Sequence, residues 1–253
     1  GILAFFGAPE PRDDHPARAV ACALSMQAAV EEINAANEAE GLPRLTMGIG
    51  VNTGPVVVGN IGSERRTKYS VVGSDVNFAA RMEGCALAGQ VLISAATYSR
   101  VRDLVEVANV LEVEMKGVPG RATLYDVRSI GAPYHIRLPD KSEQLSELPE
   151  PIGVRIHRLK DKIITDAAGR AWVTHLCDTA AQVTSEGPLE AWEDLRLAFL
   201  DDNQEPTPGH IYGKVTRVTP LTDGRFEVRI TFTSVPAGLS DGAAGLWLWR
   251  ESR

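Results

Sequence analysis

Tyr69-Ser70-Val71-Val72-Gly73-Ser74-Asp75-Val76-Asn77-Phe78-Ala79-Ala80-Arg81-Met82-Glu83, preceded by the polar run Arg65-Arg66-Thr67-Lys68, decides the reading of the first half of the chain. Tyr69 to Val72 reads as a short strand and Gly73 closes it. A helix from about Asp75 to Glu83 follows at once, so a strand feeds through one glycine into a helix. Asn77 and Arg81 are four apart and share one helix face. An amide bonds a sugar oxygen, and a guanidinium grips phosphate oxygens with a planar fork, so the pair suits a polar anionic ligand. The alternative is a solvated i,i+4 pair, or Arg81 held by a nearby acid, which stabilises the helix by only about 0.2–0.5 kcal/mol.

Upstream, Leu45, Met47, Ile49 and Val51 alternate with small or polar residues, as a strand does. Asn52-Thr53-Gly54 makes a turn, Pro55 to Val58 runs on as a second strand, and Gly59 to Lys68 reads as a polar loop. Earlier still, Asp13-Asp14 and Pro16 signal a helix start. That helix is expected to reach about Asn37, with Val20, Ala23, Leu24, Met26, Val30 and Ile33 on its apolar arc. The chain opens at Gly1 directly on a strand-like run, Ile2 to Phe6, with no initiator Met. The expectation is a piece whose beginning has been cut away.

Downstream, Val91 to Ile93 reads as a strand, and Ser94 caps a helix to about Val101. Strands near 105–115 and 123–127 flank the turn Lys116-Gly117-Val118-Pro119-Gly120. Mixed strands and helices of this kind predict an α+β or α/β unit. Residues 129–151, with Pro133, Pro139, Pro149 and Pro151, read as a linker. Beyond it come short strands at 153–159, 171–176, 195–200, 210–218, 226–232 and 246–249, without a long helical pattern. They predict a small antiparallel β-barrel or sandwich over 152–253.

Composition narrows the function classes. The chain has 253 residues, 44% apolar and 23% charged, with net charge −7 from 26 basic and 33 acidic side chains. A nucleic-acid partner is not expected, because such proteins carry a basic face. Cys22, Cys85 and Cys177 lie far apart and form no CxxC pair, so the expected setting is a reducing cytoplasm. No metal-ligand spacing links His135, His157 and His210.

The stretch Tyr69-x-x-x-Gly73-x-x-Val76-Asn77-x-Ala79-x-Arg81 resembles the class III adenylate/guanylate cyclases. The resemblance extends upstream to Gly48-Ile49-Gly50-Val51-Asn52-Thr53-Gly54-Pro55-Val56-Val57-Val58-Gly59 and downstream to Lys116-Gly117 and Leu124-Tyr125-Asp126-Val127. It covers residues 1–128 and implies an α+β, ferredoxin-like cyclase catalytic domain, incomplete here. It also implies conversion of a nucleoside triphosphate to a 3′,5′-cyclic monophosphate and pyrophosphate, with two Mg²⁺ or Mn²⁺ ions. Asn77 would orient the ribose and Arg81 would stabilise charge on the α-phosphate. Lys116 would meet the terminal phosphates, the alternative being a solvated turn lysine. Ser70 stands at the base-reading position and can donate and accept, which is compatible with adenine, so ATP is favoured over GTP.

The same resemblance puts one metal aspartate immediately before Gly1 and the other further upstream. Asp13, Asp14 and Asp75 are read as helix-start acids and not as metal ligands. The chain by itself is therefore expected to be inactive, and its parent a bacterial-type cyclase whose head-to-tail homodimer shares its active sites. The rival expectation is a non-catalytic cyclase-like binding or dimerisation module.

In the second half, His175-Leu176-Cys177-Asp178-Thr179-Ala180-Ala181-Gln182-Val183 and the later strands resemble a PilZ-type barrel. His175, Cys177 and Ala180 replace the Asp/Asn, Ser and Gly of the cyclic di-GMP motif, and Arg155-Ile156-His157-Arg158 has the wrong arginine spacing. Cyclic di-GMP binding is therefore not expected. The alternative is an unrelated small barrel.

Overall fold

Two units, residues 1–140 and 141–253, divide the chain. A computed structural model describes residues 1–42, 44–63, 66–115, 117–139, 145–160, 163–177, 179–201 and 203–235.

In the first unit α1 (His15–Ala39) starts with Pro16 in its first turn, where the missing amide proton costs no helical bond. Then come β1 (Ile49–Val51), β2 (Val57–Ser63), β3 (Arg66–Val72), α2 (Ser74–Cys85), β4 (Val91–Ser94), α3 (Ala95–Val101), β5 (Val105–Glu114), β6 (Arg121–Ile130) and β7 (Ile136–Arg137). One sheet runs β1-β4-β6-β5, with β7 paired to β6. β1 and β4 are parallel, as a crossover carrying α2 permits, and the other pairs are antiparallel. β2 and β3 form a separate hairpin, registered from Val57 opposite Val72 to Ser63 opposite Arg66. Val20 and Leu24 of α1 pack with Val91, Ile93, Val101, Val127 and Ile130 in the core. Ser94 caps α3 as expected, its hydroxyl accepting from the Thr97 amide.

Four expectations are corrected. Residues 45–48 are not strand. The Asn34 amide takes both the N–H and the C=O of Leu45, and Gln27 donates to the carbonyls of Met47 and Gln90. Buried α1 amides thus do the work of a neighbouring strand, and Asn34 is buried where Ile33 was expected, Ile33 being 45% exposed. Ile2 to Phe6 forms no strand; it pairs with none of the sheet edges, and Ile2 and Leu3 stand exposed. Residues 59–63 and 66–68, read as loop, are hairpin strand. The stretch 129–151, read as a linker, instead carries the end of β6, all of β7 and the start of the next strand, with Ile130, Leu138 and Leu148 buried.

The second unit is a closed barrel ordered β10-β13-β12-β11-β8-β9, with every neighbouring pair antiparallel. Its strands are β8 (Ser146–Lys160), β9 (Ile163–Leu176), β10 (Ala180–Ser185), β11 (Asp194–Leu200), β12 (Pro206–Pro220) and β13 (Phe226–Ser234). Alternate residues fill the interior: Val154 and Ile156 from β8, Val173 from β9, Leu195 and Leu197 from β11, Val228 and Ile230 from β13. The expected strand 246–249, with Trp247 and Trp249, lies outside the described residues. No helix among the described residues is long and apolar enough to cross a membrane.

Candidate functional site

The seat of α2 is built from β1 and the turn after it. A Cβ on Gly50 would lie 2.6 Å from the Glu83 nitrogen and 2.9 Å from the Ala79 oxygen, so the helix backbone rests directly on the strand. A Cβ on Gly54 would meet the Asp75 carboxylate at 2.1 Å. The space left open there admits the first turn of α2, and Asn52 fixes it: its Nδ2 donates to the Asp75 carbonyl at 3.1 Å and to its Oδ1 at 3.0 Å. Thr53 and Thr97 hydroxyls meet at 3.0 Å, and Thr97 also donates to the Val51 carbonyl. The β1–β2 corner is thereby tied to α3.

On this seat Asn77 and Arg81 lie on the exposed side of α2. Arg81 Nη1 donates to the Gly117 carbonyl at 3.1 Å, which brings the guanidinium to the 117–120 turn between β5 and β6. No carboxylate pairs with Arg81 among the described residues. Of the two alternatives to a ligand role, pairing with a nearby acid is thus absent in the described part. Ser70 is half-buried on β3, opposite Gly59, three residues before Gly73 at the start of α2. Tyr69 beside it is exposed and tilts against Phe5, with ring centroids 6.0 Å apart. Lys116 lies outside the described residues; the arrangement joins Asn77 and Arg81 to the turn that follows it, and leaves Ser70 on the adjoining hairpin.

A model of the adenylate and guanylate cyclase catalytic domain matches residues 2–129. The chain belongs to this family. Over 128 residues it is 32% identical to Adenylate cyclase 1 of Rhizobium meliloti (strain 1021), a match covering 50% of this chain and 19% of that protein. An adenylate cyclase of Mycobacterium tuberculosis is 37% identical over 97 residues, 38% of this chain and 21% of that one. The matched segments thus span about a fifth of these relatives. Among solved structures, the guanylyl cyclase Cya2 matches with 47% identity and a TM-score of 0.51, covering 53% of this chain and 68% of that one. All these matches have room only for the first unit.

The cyclase-type site as it stands does not fit a metal pair. Asp75 is occupied by Asn52, and Asp14 pairs with Arg18 at 3.6 Å on the surface of α1. No group of three or more His, Cys, Asp or Glu residues is arranged to hold an ion among the described residues. Sequence reading missed the positioning residues Asn52, Thr53 and Thr97. The signal for Asn52 was present in the Gly50-Val51-Asn52-Thr53-Gly54 run, where two glycines bracket the residue that reaches the helix start.

A buried acid belongs to the sheet of the first unit. Asp126 on β6 is fully buried and accepts from Gln90 Nε2 at 3.0 Å. Burial pushes its carboxyl up from the usual range, against the opposing pull of the Arg128 charge and of its hydrogen bonds. Gln90 in turn accepts the Ile49 amide of β1 at its carbonyl.

Proposed function

We propose that residues 1–130 supply the ribose and phosphate contacts of a nucleotidyl cyclase that forms 3′,5′-cyclic AMP and pyrophosphate from ATP. The observation that carries this is Arg81: exposed, anchored through one donor to Gly117, four residues from Asn77, and left without a carboxylate among the described residues. An uncompensated guanidinium with free donors suits phosphate oxygens, and its charge acts most where negative charge develops on the α-phosphate as the 3′-hydroxyl attacks. Asn77, one helical turn away on the same face, orients the ribose. Lys116 meets the terminal phosphates. Ser70 reads the base, with hydroxyl chemistry that serves adenine; GTP is the less favoured substrate.

The family's two-ion chemistry needs carboxylates that this segment does not assemble, so Mg²⁺ or Mn²⁺ is assigned to ligands from outside it. The 253-residue chain alone is then inactive, and in the complete protein the sites form between two head-to-tail copies in the cytoplasm. The barrel serves as a PilZ-like regulatory or docking unit that does not bind cyclic di-GMP. His175, Cys177 and Ala180 support this: His175 bonds Thr174, Cys177 bonds Thr179 and Ala180 is buried, so none presents the phosphate-binding chemistry of that motif.

Cyclic nucleotide production from ATP and from GTP, with Mn²⁺, by the complete protein and by this chain tests the proposal. The complete protein should make cyclic AMP, and this chain should make none. Product from this chain above background contradicts the division of the site. A complete protein inactive on both substrates favours the non-catalytic module.

A further inference from the structure

On the outside of the barrel, four neighbouring strands carry a block of arginine and histidine side chains. Val154 and Ile156 point inward from β8, so Arg155 and His157 point outward. Arg155 stands directly opposite Arg170 of β9, and His157 directly opposite Arg196 of β11. Ala198, opposite Arg155 on β11, stands in turn opposite His210 of β12. Like charges directly opposite across strands cost stability, and here the Arg155–Arg170 pair lies beside the basic pair His157–Arg196 in a chain of net charge −7. No carboxylate pairs with any of these five side chains among the described residues. Arg196 Nε and His210 Nδ1 are buried atoms without a hydrogen-bond partner among the described residues, and Arg196 Nη2 leans on His157 Nδ1 at 3.4 Å. Desolvation first, then the charges of Arg196, Arg155 and His210, hold His157 below its ordinary range.

We propose that this face, Arg155, His157, Arg170, Arg196 and His210, binds a phosphate-bearing anion. Guanidinium forks on adjacent strands about 4.8 Å apart can donate to two neighbouring phosphate groups. The patch is separate from the β9–β10 end that holds His175 and Ala180: Arg170 and His175 are five residues, roughly 17 Å, apart along β9.

The test uses the 253-residue chain carrying Arg81→Ala, which removes the phosphate contact of the first unit. Inorganic pyrophosphate is titrated while the imidazole resonances of His157 and His210 are followed by NMR. Saturable movement of both, with affinity falling at least tenfold in Arg155→Gln and in Arg196→Gln, is expected. Should either variant fold poorly, a rise of the barrel's melting temperature with pyrophosphate in the Arg81→Ala chain gives the same answer. Co-sedimentation with phosphatidylcholine vesicles containing phosphatidylglycerol separates the sources. Capture reversed by pyrophosphate places the phosphate on a lipid headgroup; no capture, with pyrophosphate bound, places it in a soluble ligand. The proposal is overturned if pyrophosphate moves neither resonance and no vesicle is captured, or if the Gln variants bind as the parent does.

Discussion

Gly50→Ala is the sharpest probe of how the fold sets the cyclase-type site. The added methyl would lie 2.6 Å from the Glu83 nitrogen, 2.9 Å from the Ala79 oxygen and 3.1 Å from the Met82 carbonyl carbon. All three are backbone atoms of α2, so no side chain can swing aside. To reach an ordinary contact of about 3.4 Å, the helix must retreat by roughly 0.8 Å. Overpacking of this kind costs about 1–3 kcal/mol, which lowers the melting temperature by roughly 3–12 °C for a unit of this size. The same shift carries Asn77 and Arg81 with the helix, and a misplacement near 1 Å can cost on the order of 10²-fold in rate. Thermal unfolding of this chain and cyclase assays of the complete protein read the two effects. Unchanged melting and unchanged activity would refute the claim that Gly50 of β1 sets the seat of α2.

Arg81→Ala should lower cyclase activity of the complete protein by about 10²–10³-fold while shifting stability by no more than about 0.5 kcal/mol, since its bond to the Gly117 carbonyl is on the surface; a large loss of stability would instead assign it a structural role. Asn34→Ala leaves the Leu45 N–H and C=O without their partner and should cost about 1–3 kcal/mol in denaturant unfolding. His157 is held below its ordinary value by burial and by Arg196, Arg155 and His210, so the unfolded chain binds its proton more readily. Its contribution to stability is complete above the unfolded value of about 6.5 and is lost as pH falls below it. His157→Gln should flatten that part of the barrel's pH–stability curve, and an unchanged curve would count against the cation cluster.

The strand–glycine–helix run around Gly73 was legible because it is local: α2 and β3 follow from periodicity and a turn residue. The face shared by Asn77 and Arg81 was legible for the same reason. The link from Arg81 to Gly117 was not, since it joins residues 36 apart. Residues 45–48 alternate as a strand does, yet Asn34 and Gln27 of α1 take their backbone groups, a tertiary substitution that no local window contains. The linker reading of 129–151 failed because Pro133 and Pro139 lie outside strands while Pro149 and Pro151 fall within β8, where its register with β9 shifts between Glu147 and Ile152, and Ile130, Leu138 and Leu148 supply buried anchors. In the barrel, Ala180–Ser185 is short and rich in small residues, so its strand character comes from pairing with β9 and β13. The outer cations were scattered in sequence, and only the register places Arg155 beside Arg170 and His157 beside Arg196.

In the proposed cyclase, α2 of this chain supplies Asn77 and Arg81 to an active site completed by residues from outside it. Mixing the 253-residue chain with the complete protein carrying Asn77→Ala and Arg81→Ala tests it most directly. Neither should make cyclic AMP from ATP and Mn²⁺ alone, and the mixture should, in proportion to added chain. A mixture as inactive as its parts, with a mixed dimer present by size-exclusion chromatography, would contradict it.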